Sequence, residues 1–186
     1  MREGVRLQRE HTALLIVDVQ ERLFAAMDHE QRESMVRNVK VLATAAQRLG
    51  VSRVVTEQYP KGLGHTLPEI RDALGAIEPI TKLTFSCCVV DGFTNRLRQS
   101  GARAVIVTGL ETHVCVLLTA LDLLAEGFAV HVPADATTSR AHQNWEVALE
   151  LLRSEGAVVT TTETVVFQLL GQAATDDFRA LSPLLK

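Results

Sequence analysis

Aromatic residues make up only 4% of this 186-residue chain, which leaves little material for stacking nucleic-acid bases. Lys and Arg total 19 against 22 Asp and Glu, a formal net charge of −3 with no basic cluster. Neither nucleic acid nor an anionic membrane surface is therefore an expected partner. No apolar run reaches the length of a membrane span, and the polar opening MREGVRLQREH runs straight into a strand-like segment, so no signal peptide is read. Three cysteines, with Cys87 and Cys88 adjacent, cannot build an extracellular disulfide framework, and a reduced cytoplasmic protein is expected. There is no Cys-x-x-Cys and no His and Cys set at metal-ligand spacing. The G-x-G-x-x-G that would mark a dinucleotide site after the first strand is also missing. Without repeats, linkers or low-complexity segments, residues 1–186 read as a single domain.

What is present is alternation. Apolar β-type runs at Ala13–Val17, Arg53–Thr56, Ile77–Ile80, Val105–Val107, Phe128–Val132 and Gly156–Thr161 take turns with helical patterns. That order predicts an α/β protein, a three-layer α/β/α sandwich on a six-stranded, mostly parallel Rossmann-like sheet. Met35, Val39, Leu42, Ala46 and Leu49 recur at helical spacing up to Gly50, and Pro68–Leu74 suits a short helix. Asp91 is expected to cap a helix with Phe93 and Leu97 inward, and Ser139 to cap one through Leu152. Two short helical pieces, near Val165–Leu170 and Asp176–Leu181, close the chain.

The stretch AVIVTGLETHVCVLLTALDLLAE, Ala104–Glu126, holds the centre of interest. A buried strand runs into a tight turn and then a helix that lasts until Gly127, with Cys115 in its first turn. Ligands of open α/β sheets bind at such strand ends, and a helix N-terminus stabilises a thiolate. Most free cysteines are simply small buried hydrophobes, and location alone does not separate the two readings. At 100° per residue, Val114, Leu117, Leu118, Leu121 and Ala125 form the main apolar face, with Cys115, Thr119 and Asp122 off it. Val116, Ala120 and Leu123 make a second apolar stripe, as in a helix sandwiched by other helices or by a second subunit. Asp18 and Lys82 also follow strands, hence lie on the same sheet edge. Each has an ordinary alternative, a turn aspartate and an exposed loop lysine. Together with Cys115 they offer an acid/base group, a cation to lower a thiol pKa, and a nucleophile.

LLIVDVQ around Asp18, KLTFS around Lys82 and VTGLETHVCV with TALDLLAEGFAVHVPADATTS around Cys115 resemble the isochorismatase-like hydrolases. This is the cysteine-hydrolase superfamily that includes nicotinamidases and carbamoylsarcosine-type amidohydrolases. EQYPKGLGHT resembles its small isochorismatase-domain-containing subgroup. The resemblance implies a triad of Cys115 as nucleophile, Asp18 as base and later acid, and Lys82 holding the thiolate and orienting the aspartate. It further implies a cis Leu110–Glu111 peptide and an oxyanion hole from the amides of Glu111 and Cys115. The implied reaction is hydrolysis of a small amide or related acyl compound through a thioester, with no cofactor, by a homo-oligomer.

Nicotinamidases carry an Asp-x-His and a further His that bind a divalent metal. Here the corresponding stretch is Glu57-Gln58-Tyr59-Pro60 with His65 nearby, so no metal is expected and nicotinamide is discounted. Gln20, Tyr59, Phe85 and His113 are the candidates for lining the substrate pocket. Cys87 and Cys88 read as packed thiols, and Trp145 as a helix-surface or interface residue. The competing reading is a non-catalytic binding or scaffold protein, or a redox-active one, on the same fold.

Overall fold

The computed structural model describes residues 6–186. The strands are β1 (Thr12–Val17), β2 (Ser52–Gln58), β3 (Ile80–Lys82), β4 (Ala104–Leu110), β5 (Ala129–Pro133), β6 (Thr137–Thr138) and β7 (Val158–Thr160). The helices are α1 (Glu21–Ala26), α2 (Arg32–Leu49), α3 (Pro60–Leu63), α4 (Pro68–Leu74), α5 (Phe93–Gln99), α6 (Leu117–Ala125), α7 (His142–Ser154), α8 (Thr162–Leu170) and α9 (Asp176–Leu181). The sheet order is β3-β2-β1-β4-β5-β7, and the two-residue β6 pairs with the end of β4. Every strand pair runs parallel. Five strands fall where the apolar runs place them; β3 instead begins only at Ile80, the end of the run Ile77–Ile80, and takes in Lys82, while β6 is too short to leave a pattern.

β1 and β4 are buried along their whole length because helices cover both faces. Alternation along each strand divides the side chains between two cores. Leu14, Ile16, Ala104 and Ile106 pack with α2, α4 and α8. Ala13, Leu15, Val17, Val105 and Val107 pack with α5, α6 and α7. The strand order reverses between β1 and β4, whose carboxyl ends open the crevice where α/β sheets bind ligands. Gly109 makes that junction possible. At its φ of 135° an added Cβ would overlap the carbonyl of Val17 on the neighbouring strand.

Three local expectations are corrected. α5 is entered through Gly92, in the left-handed region at φ 76°, and not through an Asp91 cap, although Phe93 and Leu97 do face the core. α7 begins at His142 with no side-chain cap, because Ser139 is fully buried and its hydroxyl lies 3.0 Å from His113 Nδ1. α6 turns its second stripe inward: Val116, Ala120 and Leu123 are buried together with Cys115 and Thr119. The richer stripe is only partly covered: Val114, Leu117 and Leu121 pack at the core's edge, while Leu118 is 40% exposed, as are Val147 and Leu151 of α7 at 58% and 40%. Periodicity finds an apolar face, but the sheet takes the face that also carries the cysteine.

Candidate active site

Asp18 stands one residue past β1 in the left-handed region, φ 53°. That conformation costs a non-glycine residue about 1–2 kcal/mol. Its surroundings hold it firmly. Thr56 Oγ1 donates to Oδ1 at 2.7 Å and Lys82 Nζ donates to Oδ2 at 2.6 Å. Both members of the Asp18–Lys82 pair have fully buried side chains. Such a pair survives burial only when its remaining bonds are made. Lys82 Nζ makes them to Gln58 Oε1 at 2.8 Å and to the carbonyls of Thr84 and Phe85 at 3.2 and 3.1 Å.

Cys115 is 5% exposed and lies in a π-helical turn, Thr112–Val116, that precedes α6. π-turns of this kind are frequent at functional sites. The turn begins after Glu111, which is left-handed at φ 58° and ψ 62°. Among the described residues no peptide is cis, so the expected cis Leu110–Glu111 bond is not found. The chain reverses through the left-handed Glu111 instead.

Asp18, Lys82 and Cys115 converge, and the electrostatics correct one expectation. Burial, the largest influence, and then the Asp18 charge push the Cys115 thiol up to about 12, while the Lys82 charge acts in the opposite direction. A hydrogen bond to Asp18 also favours the protonated thiol. Lys82 spends its charge on Asp18, so it does not yield a standing thiolate. Behind Asp18 lies a second thiol. Cys87 is fully buried with its Sγ 3.8 Å from Thr56 Oγ1, and burial followed by the Asp18 charge pushes it up to about 11. Cys87 is thus a packed thiol, as expected, but packed against the acid's support.

Gln20 does not reach the three. It is fully buried, and its amide joins both backbone groups of Gln58 to the carbonyl of Gly64. Tyr59 and Phe85 flank Lys82 with half-exposed rings: Tyr59 N donates to the Lys82 carbonyl, and the Phe85 carbonyl accepts from Nζ. His113 faces Ser139 and the Glu111 carboxylate, 3.5 Å from Oε2. Trp145 donates to Thr137 Oγ1 and stacks on His142.

Glu57 and His65 do not fit a metal. Glu57 Oε1 already accepts the amide and hydroxyl of Thr66, and Oε2 is engaged with His65 Nδ1 at 3.1 Å. Burial alone would raise the Glu57 carboxyl, but the Thr66 and His65 bonds outweigh it and hold it below its ordinary value. No cluster of three His, Cys, Asp or Glu side chains suited to a metal occurs among the described residues.

The isochorismatase domain model matches residues 12–164. Isochorismatase domain-containing protein 2 of Bos taurus is 41% identical over 177 residues, covering 93% of this chain and 82% of the relative. The chain spans 61% and 51% of two longer fish relatives. A solved structure described as a MAR1 ribonuclease from Caenorhabditis elegans superposes with a TM-score of 0.90 at 35% identity, covering 97% of this chain and 92% of that one. An Escherichia coli protein described as an octameric hydrolase of unknown specificity shares the fold, with a TM-score of 0.91 at 24% identity over 100% of this chain and 91% of its own. The doubly wound sheet, the crevice between β1 and β4, and these matches together place the chain in the isochorismatase family of hydrolases.

Proposed function

We propose that the chain is a cysteine-dependent hydrolase of a small amide or related acyl compound, acting through a thioester on Cys115. One observation carries the reading: a buried carboxylate, fixed between Lys82 and Thr56, faces a thiol at the mouth of the crevice. A thiol with its proton in place needs a base at the moment of attack, and Asp18 is that base. As Cys115 Sγ bonds to the acyl carbon, the thiol proton passes to Asp18. The carbonyl electrons move onto oxygen, to which the N–H groups of Glu111 and Cys115 donate hydrogen bonds. Asp18 then gives the proton to the departing amine. Water, losing its proton to Asp18, attacks the thioester, and a carboxylic acid leaves as Sγ recovers its proton. Lys82 keeps Asp18 in place and balances its charge throughout. No step needs a metal or cofactor.

Tyr59, Phe85 and His113 are assigned to the substrate's surroundings, whereas Gln20 serves as the staple of the Gln58–Gly64 segment. The exposed Leu118 of α6 and Val147 and Leu151 of α7 support a homo-oligomer; the Escherichia coli neighbour is described as an octamer. Three free cysteines suit a reducing, cytoplasmic setting.

The test is intact-mass analysis of the protein mixed with a panel of small amides and with p-nitrophenyl acetate. An acyl adduct that maps to Cys115, forms in wild type and is lost in Cys115→Ala supports the reading. Turnover that persists in Cys115→Ala would remove Cys115 from the chemistry.

A further inference from the structure

Glu111 is an acid at a position where the proposed chemistry asks only for a backbone N–H. Its side chain is nevertheless elaborately held. The residue is 6% exposed, and Arg140 Nε donates to Oε1 at 2.8 Å. The other oxygen, Oε2, is buried without a hydrogen bond and lies 3.5 Å from His113 Nε2. His113 is itself fixed at its far side, with Nδ1 3.0 Å from the buried Ser139 hydroxyl. The Asn144 amide approaches its near side, 3.4 Å from Nε2. A carboxylate at the entrance to the π-turn is thereby tied to the segment that leads into α7. An acid at the N-terminal end of a helical turn also matches the direction of the turn's dipole.

The backbone at Glu111 is where this matters. A left-handed φ of 58° is unfavourable for glutamate, so something outside the peptide must sustain it. In the mechanism proposed above, the same residue carries the N–H that the acyl oxygen needs, paired with that of Cys115 four residues on. We propose that the Glu111 side chain is a positioning residue: clamped by Arg140 and backed by His113, it keeps the 111 peptide left-handed and so keeps the two N–H groups converged on one oxygen. The inference rests on the acyl-transfer reading above and adds a side chain that never touches substrate.

Two reactions at the same sulfur separate positioning from mere folding. Acylation by p-nitrophenyl acetate builds an oxyanion, while alkylation by iodoacetamide does not. Both are followed at Cys115 by mass spectrometry in wild type, Glu111→Ala, Glu111→Gly, Glu111→Gln and Arg140→Met. Glu111→Ala should lower acylation roughly 10- to 100-fold, the scale of a weakened oxyanion donor, and leave alkylation within about twofold. Glu111→Gly should recover part of that loss, since glycine adopts the left-handed region freely. Glu111→Gln should retain most of the wild-type acylation, because its amide oxygen still accepts from Arg140. Arg140, 63% exposed, can be removed without hollowing the core, so Arg140→Met gives the answer should Glu111→Ala fail to fold. An acylation-to-alkylation ratio unchanged in Arg140→Met, or a Glu111→Gly no better than Glu111→Ala, overturns the proposal. Wild-type protein that is alkylated but never acylated at Cys115 overturns the acyl-transfer reading itself.

Discussion

Lys82 has four acceptors around one ammonium, and the most consequential is Asp18. Replacing it by methionine leaves the Asp18 carboxylate buried and uncompensated, a change that costs about 3–5 kcal/mol in comparable pairs. Lys82→Met should therefore lower the melting midpoint measurably in calorimetry, as well as remove acylation at Cys115. A melting curve that superposes on wild type would contradict the tightness assigned to the pair. Gly109 is the second residue on which the site depends, for a different reason. An alanine Cβ there has to displace the Val17 carbonyl, the last residue of β1 before Asp18. Gly109→Ala should destabilise by at least about 1–3 kcal/mol, as overpacking does, and move Asp18 away from the thiol. Equilibrium urea unfolding measures the first effect and p-nitrophenyl acetate acylation the second.

The segment between β2 and α4 shows what an element contributes. Gln58 serves Lys82, Tyr59 enters left-handed at φ 37°, and the Tyr59 ring packs over Gly62, where a side chain would have to push it aside. Glu57 closes the segment onto Thr66 and His65, and its carboxyl is held below its ordinary value of 4.5. A depressed folded pKa contributes stability above the unfolded value, and that stability is lost as pH falls through the folded pKa. Glu57→Gln should thus flatten the acid limb of stability below about pH 4.5 and cost stability at neutral pH. Thermal melts between pH 3 and pH 7 check the sign. At this scale the sequence was partly readable. Asp18, Lys82 and Cys115 stand out at strand ends, but the pattern leaves each an ordinary alternative, and it is the resemblance of the motifs around them that groups them as a triad. Thr56 and Gln58 do not stand out, because both look like ordinary strand residues. Their roles come from register, which sets Thr56 opposite Val17 and Gln58 opposite Lys82. Likewise Ser139 has the look of a helix cap, and only the fold shows its hydroxyl committed to His113. The thiol pKa rises where a neighbouring cation suggests a fall for a similar reason: burial depth is a property of the packed molecule.

At the scale of the whole molecule, Leu118 of α6 and Val147 and Leu151 of α7, two helices packed on each other, stay exposed within the monomer. These helices also frame the π-turn, so an assembly formed there would brace the residues around Cys115. Leu118→Lys combined with Leu151→Lys should shift sedimentation toward the monomer at micromolar concentration without unfolding the chain. A wild-type protein that sediments as a monomer alone would remove the interface. The buried, protonated thiol has a last consequence, and it concerns survival. Peroxide attacks thiolates, and a standing thiolate near solvent drifts toward sulfenic and then sulfinic acid. A sulfur kept protonated by burial and by Asp18 gives such oxidants little to attack. If Cys115 is the nucleophile proposed above, the depth that slows it toward stray electrophiles is also what would let it last between turnovers.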